Sequence, residues 1–278
     1  MKIAFFGYDF FIDSVEELAN YGHVISNIFI GDADNFYNHN LRTLELARRL
    51  GSCVHVGKPK RELLQSLRDE GCELALVMAY QYKVPVLNGL RGANLHPTLL
   101  PQGRGIWPLP WLLLEHKDCA GLTLHKLTDE MDAGPILSQK KLTLSENENL
   151  ETLSAKVQIA ARSFVREALD QIDALWDSAT PQAGGSTWPM PSDSDRLLRW
   201  EEGVDQVLKV VRAFGKFEST AILGESEWMV TDAAGWKESH VRRPGEVVHR
   251  LGREVVVAVS DGYVLLRHYH RELDFSKP

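Results

Sequence analysis

Residues 3–30 decide the fold: Ile3-Ala4-Phe5-Phe6-Gly7, then a segment from Ile12 to Tyr21, then Val24 to Ile30. The opening run is apolar on both alternations and is closed by a glycine, the mark of a strand buried on both faces. Ile12, Val15, Leu18 and Ala19 then recur at helical spacing. The same unit repeats downstream, with a helix at Leu41–Leu50, a strand at Cys53–Val56, a helix at Arg61–Glu70 and a strand at Leu74–Met78. Strands alternating with helices predict an α/β fold, a Rossmann-like, mostly parallel sheet with helices on both faces. Gly7 stands alone, without GxGxxG or GxxxxGK[ST], and reads as a tight turn rather than a nucleotide loop.

Beyond residue 90 the pattern changes. Ala93–His96 predicts a short strand that Pro97 ends, followed by the proline-rich run HPTLLPQGRGIWPLPW. Leu122–His125 alternates like a strand, and Asn149–Trp176 predicts one long amphipathic helix. Residues 177–195, rich in Pro, Gly, Ser and Thr, read as a linker. A helix at Val204–Phe214 follows, then short strands at Val230-Thr231, Glu246–His249, Glu254–Val259 and Tyr263–His268. The expectation is two domains: residues 1–189, linker included, and a small mainly β, OB-like domain over 190–278.

Composition narrows the function classes. The chain has 278 residues, 44% of them hydrophobic, and a net charge of −7. A negative balance argues against general affinity for nucleic acid or anionic membrane. Three cysteines (Cys53, Cys72 and Cys119), with no CxxC among them, predict neither a disulfide framework nor a thiolate metal site. The N-terminus lacks signal-peptide features and no run reaches the ~18 apolar residues of a span, so a cytoplasmic protein is expected. His268-Tyr269-His270 alternates on a strand without a third ligand nearby, so no metal is expected there.

The segment with chemical content is Asn94-Leu95-His96-Pro97-Thr98-Leu99-Leu100-Pro101. Asn94 and His96, two apart on a strand, share one face at the carboxyl end of the sheet, where ligands bind in open α/β folds. Asn offers an uncharged donor to a developing oxyanion, and His exchanges a proton near neutral pH. The pair alone fits a buried, satisfied histidine equally well. Asp132, in Met131-Asp132-Ala133-Gly134-Pro135-Ile136, would orient an imidazole if it lay beside one, but Asp before Gly-Pro is also an ordinary turn residue.

NLHPTLLPQGRG, MDAGPI downstream, MKIAFFG, the loop Ala79-Tyr80-Gln81-Tyr82-Lys83-Val84-Pro85 and GLTLHKL together resemble the 10-formyltetrahydrofolate-dependent formyltransferases over roughly residues 1–175. That resemblance implies formyl transfer to an amine without a metal, with Asn94, His96 and Asp132 as the catalytic set. It places the folate on Met78, Tyr80, Gln81, Tyr82, Val84, Pro85 and Gly134, held largely through backbone groups. Arg104 becomes a candidate for an anionic part of the acceptor, with a structural role equally open to it, and Thr98 joins it as a substrate-side residue. Two positions depart from the family pattern: Thr98 stands where Ser is usual, and Gly103 stands where many members carry an aromatic residue.

The length disfavours the single-domain glycinamide ribonucleotide branch. Residues 190–278 hold 13 Lys/Arg against 15 Asp/Glu, a poor clamp for tRNA. Ser194-Asp195-Arg196-Leu197-Leu198-Arg199-Trp200 and Val211-Arg212-Ala213-Phe214 resemble the short C-terminal domain of sugar-nucleotide formyltransferases. A nucleotide-linked amino sugar is therefore the expected acceptor. The alternatives are methionyl-tRNA, a siderophore hydroxyornithine, or hydrolysis of the folate itself. An open edge on the small β domain would suit a homodimer.

Overall fold

The computed structural model describes residues 1–32, 39–252 and 254–271. Its elements run β1 (Lys2–Gly7), α1 (Ile12–Asn20), β2 (Val24–Ile30), α2 (Leu41–Leu50), β3 (Cys53–Val56), α3 (Arg61–Asp69), β4 (Leu74–Met78) and β5 (Arg91–Thr98). They continue with α4 (Leu109–Leu114), β6 (Ala120–Lys126), β7 (Ile136–Lys141), α5 (Leu150–Asp170) and α6 (Ile172–Asp177). The remainder is α7 (Asp193–Arg196), α8 (Val204–Phe214), β8 (Ser219–Leu223), β9 (Ser226–Lys237), β10 (Val247–Leu251), β11 (Glu254–Val259) and β12 (Gly262–Arg271).

Two compact units form. The first comprises Met1–Pro108, Cys119–Thr143 and Ala155–Trp188; the second comprises Leu109–Asp118, Leu144–Ser154 and the chain from Pro189 onward. The first unit carries a seven-stranded sheet in the order β3-β2-β1-β4-β5-β6-β7. Pairing is parallel from β3 through β5 and antiparallel for β6 and β7. Ile3 and Phe5 point opposite to Ala4 and Phe6, and all four are fully buried, so both faces of β1 are covered. On one face Leu64 and Leu67 of α3 pack with Ala4, Phe6, Phe29, Ala75 and Val77. The Rossmann-like expectation holds.

Three local expectations need correction. β5 does not stop at Pro97 but runs to Thr98, with a register shift between His96 and Thr98. Proline has no N–H for the ladder, and the bulge removes the need for one. The predicted single helix from Asn149 is capped by Asn149, whose Oδ1 accepts from the Thr152 N–H at 2.8 Å, but it breaks at Gln171 (φ −118°). The short α6 beyond the break is tied to the sheet by Asp173 on Arg91 (2.6 Å) and by the Lys126 ammonium on the Trp176 carbonyl (2.7 Å). The linker, finally, is not a free tether over its first half. Ile136 and Thr180 exchange backbone hydrogen bonds, and the Arg104 N–H and carbonyl bond to Ser186 and Trp188.

The second unit holds a five-stranded antiparallel sheet, ordered β10-β11-β12-β9-β8, with α8 packed on β9 and β12. His268 and His270 fall on β12, and their side chains lie outside those described. The amino end of α8 is capped from the β11–β12 turn, where Asp261 Oδ1 accepts from the Val204 N–H at 2.7 Å. Asp261→Ala removes that cap and is expected to cost about 0.5–2 kcal/mol in urea unfolding of this unit. Unchanged stability would show that water replaces the cap without loss.

Candidate functional site

β5 and β6 build the site between them. Their antiparallel register sets Asn94 opposite His125 and His96 opposite Thr123, so Asn94, His96 and His125 share one face. Asp132 arrives from the turn after β6, at φ 52°, a left-handed conformation that costs a non-glycine residue energy. His96, His125 and Asp132 are all buried, whereas Asn94 is half-buried.

The hydrogen bonds assign a role to nearly every polar atom. His96 Nε2 lies 2.7 Å from the Gly103 carbonyl oxygen. A carbonyl only accepts, so Nε2 carries a hydrogen, and in the neutral ring Nδ1 keeps the lone pair. That Nδ1 faces Asp132 Oδ1 at 3.6 Å. By the same logic His125 Nδ1 donates to the Lys126 carbonyl at 2.9 Å, leaving Nε2 to accept from Asn94 Nδ2 at 3.1 Å. The Asn94 amide also donates to Asp132 Oδ1 at 3.2 Å, and the Gly105 N–H donates to Oδ2 at 3.0 Å.

Burial and neighbouring charges hold both His96 and Asp132 below their ordinary pKa values. Burial drives the His96 pKa below the ordinary imidazole value, against the opposing pull of Asp132 and of the Gly103 bond, while His125 adds to the lowering. Burial alone would raise Asp132, but the neighbouring imidazoles of His125 and His96, which favour the carboxylate as they take up protons, and the Gly105 N–H outweigh it and hold the carboxyl down to about 2. At neutral pH the site therefore presents a neutral imidazole beside a carboxylate.

The remaining predicted residues are distributed as follows. Met78 ends β4, fully buried, and Val84 is buried beneath the loop that follows. Tyr80 donates to the Gly57 carbonyl at 2.6 Å and meets Tyr82 edge to face at 5.6 Å; Tyr82 donates to Asp32 at 3.0 Å. Gln81 is exposed and Pro85 half-buried. Gly134 tolerates no side chain, since a Cβ there would meet the Lys126 carbonyl at 1.8 Å. Thr98 is fully buried and donates to the Gln102 carbonyl, which shapes the turn after β5. The Arg104 guanidinium donates to Gln182 Oε1 and to the Gly184 carbonyl. Gly103, at φ 75°, leaves room for Trp188, whose ring would lie 2.5 Å from any Cβ there.

Two site residues escaped the sequence reading. His125 enters through cross-strand pairing, which GLTLHKL alone does not specify. Gln182 sits in the stretch read as linker. Among the described residues no group of three or more His, Cys, Asp or Glu is arranged to hold a metal, and no helix is long and apolar enough to cross a membrane.

Comparison with known proteins adds two matches to family models: Formyl transferase over residues 52–169, and Formyl transferase, C-terminal domain, over residues 192–273. The chain is 27% identical to the methionyl-tRNA formyltransferase of Thermodesulfovibrio yellowstonii over 222 residues, covering 76% of this chain and 72% of that one. Its fold is similar to that of HypX from Aquifex aeolicus in complex with tetrahydrofolic acid (TM-score 0.70, 21% identity). That match covers 98% of this chain but only 44% of HypX. It is also similar to a Helicobacter canadensis N-formyltransferase in complex with folinic acid and dTDP-3-aminofucose, with a TM-score of 0.67, 11% identity, and 97% and 99% of the two chains covered.

The buried imidazole makes stability depend on pH. An unfolded His96 takes up its proton near the ordinary imidazole value of 6.5, whereas the folded one resists it. Below that pH the unfolded chain binds the extra proton, so stability falls as pH falls, by at most about 1.4 kcal/mol per pH unit for this group. The Asp132 contribution is lost lower still, between the ordinary carboxyl value of 3.8 and about 2. Denaturant unfolding between pH 7 and 5 is expected to show a shallower slope for His96→Gln than for the wild type. Equal slopes would contradict a neutral buried His96.

Proposed function

The chain belongs to the formyl transferase family, and we propose that it moves a formyl group from 10-formyltetrahydrofolate to the amine of a nucleotide-linked amino sugar. The observation that carries this is the His96 tautomer: a lone pair on Nδ1, imposed by the Gly103 carbonyl and backed by an ionised Asp132. When bound, the folate supplies the activated formyl carbon. The loop from Met78 to Pro85 and the turn at Gly134 would hold it, and their features suit close backbone approach. Ala79 turns the chain at φ 56°, and Gly134 has room for no side chain.

The residues then divide the work. The Asn94 amide donates to the formyl oxygen as charge builds on it, giving up its long bond to His125 or Asp132. As the new C–N bond forms, the acceptor amine loses a proton to His96 Nδ1. As the bond to the folate nitrogen breaks and the carbonyl reforms, the imidazolium returns a proton to that nitrogen, so tetrahydrofolate leaves neutral. Asp132 stabilises the resulting imidazolium, and the His96 Nε2–H bond to Gly103 keeps the ring from turning. The Gly105 N–H holds the carboxylate in place throughout.

Charge favours a small acceptor over tRNA. The C-terminal portion, with 13 basic against 15 acidic residues, supplies little of the phosphate attraction on which tRNA binding depends. A second reading, formylation of methionyl-tRNA, draws its support from the identity to a curated methionyl-tRNA formyltransferase.

Release of tetrahydrofolate in the presence of an acceptor panel tests both readings. Turnover is expected with a nucleoside-diphosphate amino sugar such as dTDP-3-aminofucose and not with methionyl-tRNA. The reverse pattern selects the second reading, and equal turnover with no amine at all would make the protein a hydrolase. His96→Ala should lower kcat by about 10²–10⁴-fold and Asn94→Ala by about 10²–10³-fold, with folded structure retained in circular dichroism. Near-normal rates in either variant would remove that residue from the catalytic set.

A further inference from the structure

Gln182 lies in a stretch whose composition reads as a tether, yet its carboxamide is engaged at both ends. Nε2 donates to the Asp132 carbonyl at 2.8 Å and to the Gly134 carbonyl at 2.7 Å. Oε1 accepts from Arg104 Nε at 3.1 Å and Nη2 at 2.8 Å. Carbonyls only accept and a guanidinium only donates, so the amide has one workable orientation. A glutamate of the same length would meet two carbonyls without a hydrogen to give, and an alanine would reach neither partner.

The turn that Gln182 grips needs holding. Asp132 sits at φ 52°, and Gly134 lies so close to Lys126 that its own Cβ would overlap the carbonyl. A residue in this region of backbone space costs about 1–3 kcal/mol and persists only where its surroundings over-determine it. The two carbonyls that Gln182 ties together belong to the strained residue and to the glycine two positions on. Arg104, for which the sequence left an acceptor-side and a structural role equally open, also reaches the Gly184 carbonyl and anchors the amide from behind.

We propose that Gln182, oriented by Arg104, is a positioning residue that keeps Asp132 in its left-handed conformation and so keeps the carboxylate opposite His96 Nδ1. Positioning of this kind presupposes the formyl-transfer chemistry proposed above, because it matters to turnover only if His96 takes a proton. The groups that face His96 are the Asp132 carboxylate, His125 and the Gly103 carbonyl. Gln182 touches none of the reacting atoms. Its removal acts through Asp132, and a misplaced carboxylate no longer favours the protonated form of His96.

Gln182→Glu is the direct test, since it preserves size and the contact with Arg104 while exchanging the two donors for acceptors. Gln182→Met, close in length and without polar atoms, serves if the carboxylate prevents folding. The expected result is a kcat lowered between about ten- and a hundredfold, with KM for the formyl donor within about twofold of wild type. NMR titration of the His96 ring should show its midpoint moved to lower pH. A variant with wild-type kcat and an unmoved His96 titration overturns the proposal. So does a variant that is less stable but turns over normally per folded molecule. If the wild type itself formylates no amine, the formyl-transfer reading fails, and the His96 titration alone then decides whether Gln182 positions Asp132.

Discussion

The proposed chemistry rests on one contact, the hydrogen bond from His96 to the Gly103 carbonyl. A histidine at this place in the sheet has two nitrogens, and only one arrangement leaves the right one free. The carbonyl takes the Nε2 hydrogen at 2.7 Å and obliges Nδ1 to face Asp132 with a lone pair. Burial keeps the ring neutral and the carboxylate stays ionised, so a base and its counter-charge coexist at neutral pH. Gly103 holds that position because its backbone turns at φ 75° beneath Trp188.

The fold supplies this contact at little local expense. β5 carries Asn94 and His96 toward the carboxyl edge of the sheet, and the antiparallel β6 brings His125 directly across from Asn94. Asp132 is the exception. It is the one member of the cluster that no regular element presents, and its backbone is strained. Structure outside the sheet restrains it: the Gly105 N–H on its side chain and the Gln182 amide on its main chain. Strain concentrated at one candidate site residue and offset by neighbours is the pattern expected of such sites.

The parallel sheet was legible because its strands are short apolar runs set between helical periods, a signal that does not depend on distant residues. Asn94, His96 and Asp132 were legible because they lie in compact motifs. His125 was not: its role comes from facing Asn94 across two antiparallel strands, and register is a property of the folded sheet. The continuation of β5 through Pro97 was hidden for the same kind of reason, since a bulge excuses a proline and leaves no mark of its own. Gln182 was masked by composition, as Pro, Gly and Ser serve an ordered strap against the sheet as readily as a free tether. The break at Gln171 follows from Asp173 and Trp176 meeting Arg91 and Lys126, contacts made only after the chain has folded.

Nitrogen-15 NMR of the imidazole of His96 tests the central claim most directly. At pH 7 the expected spectrum is that of a neutral ring, with a directly bonded hydrogen on Nε2 and the shift of an unprotonated nitrogen on Nδ1. A ring protonated at Nδ1 alone, or at both nitrogens at that pH, would leave no lone pair to accept the amine proton and would contradict it.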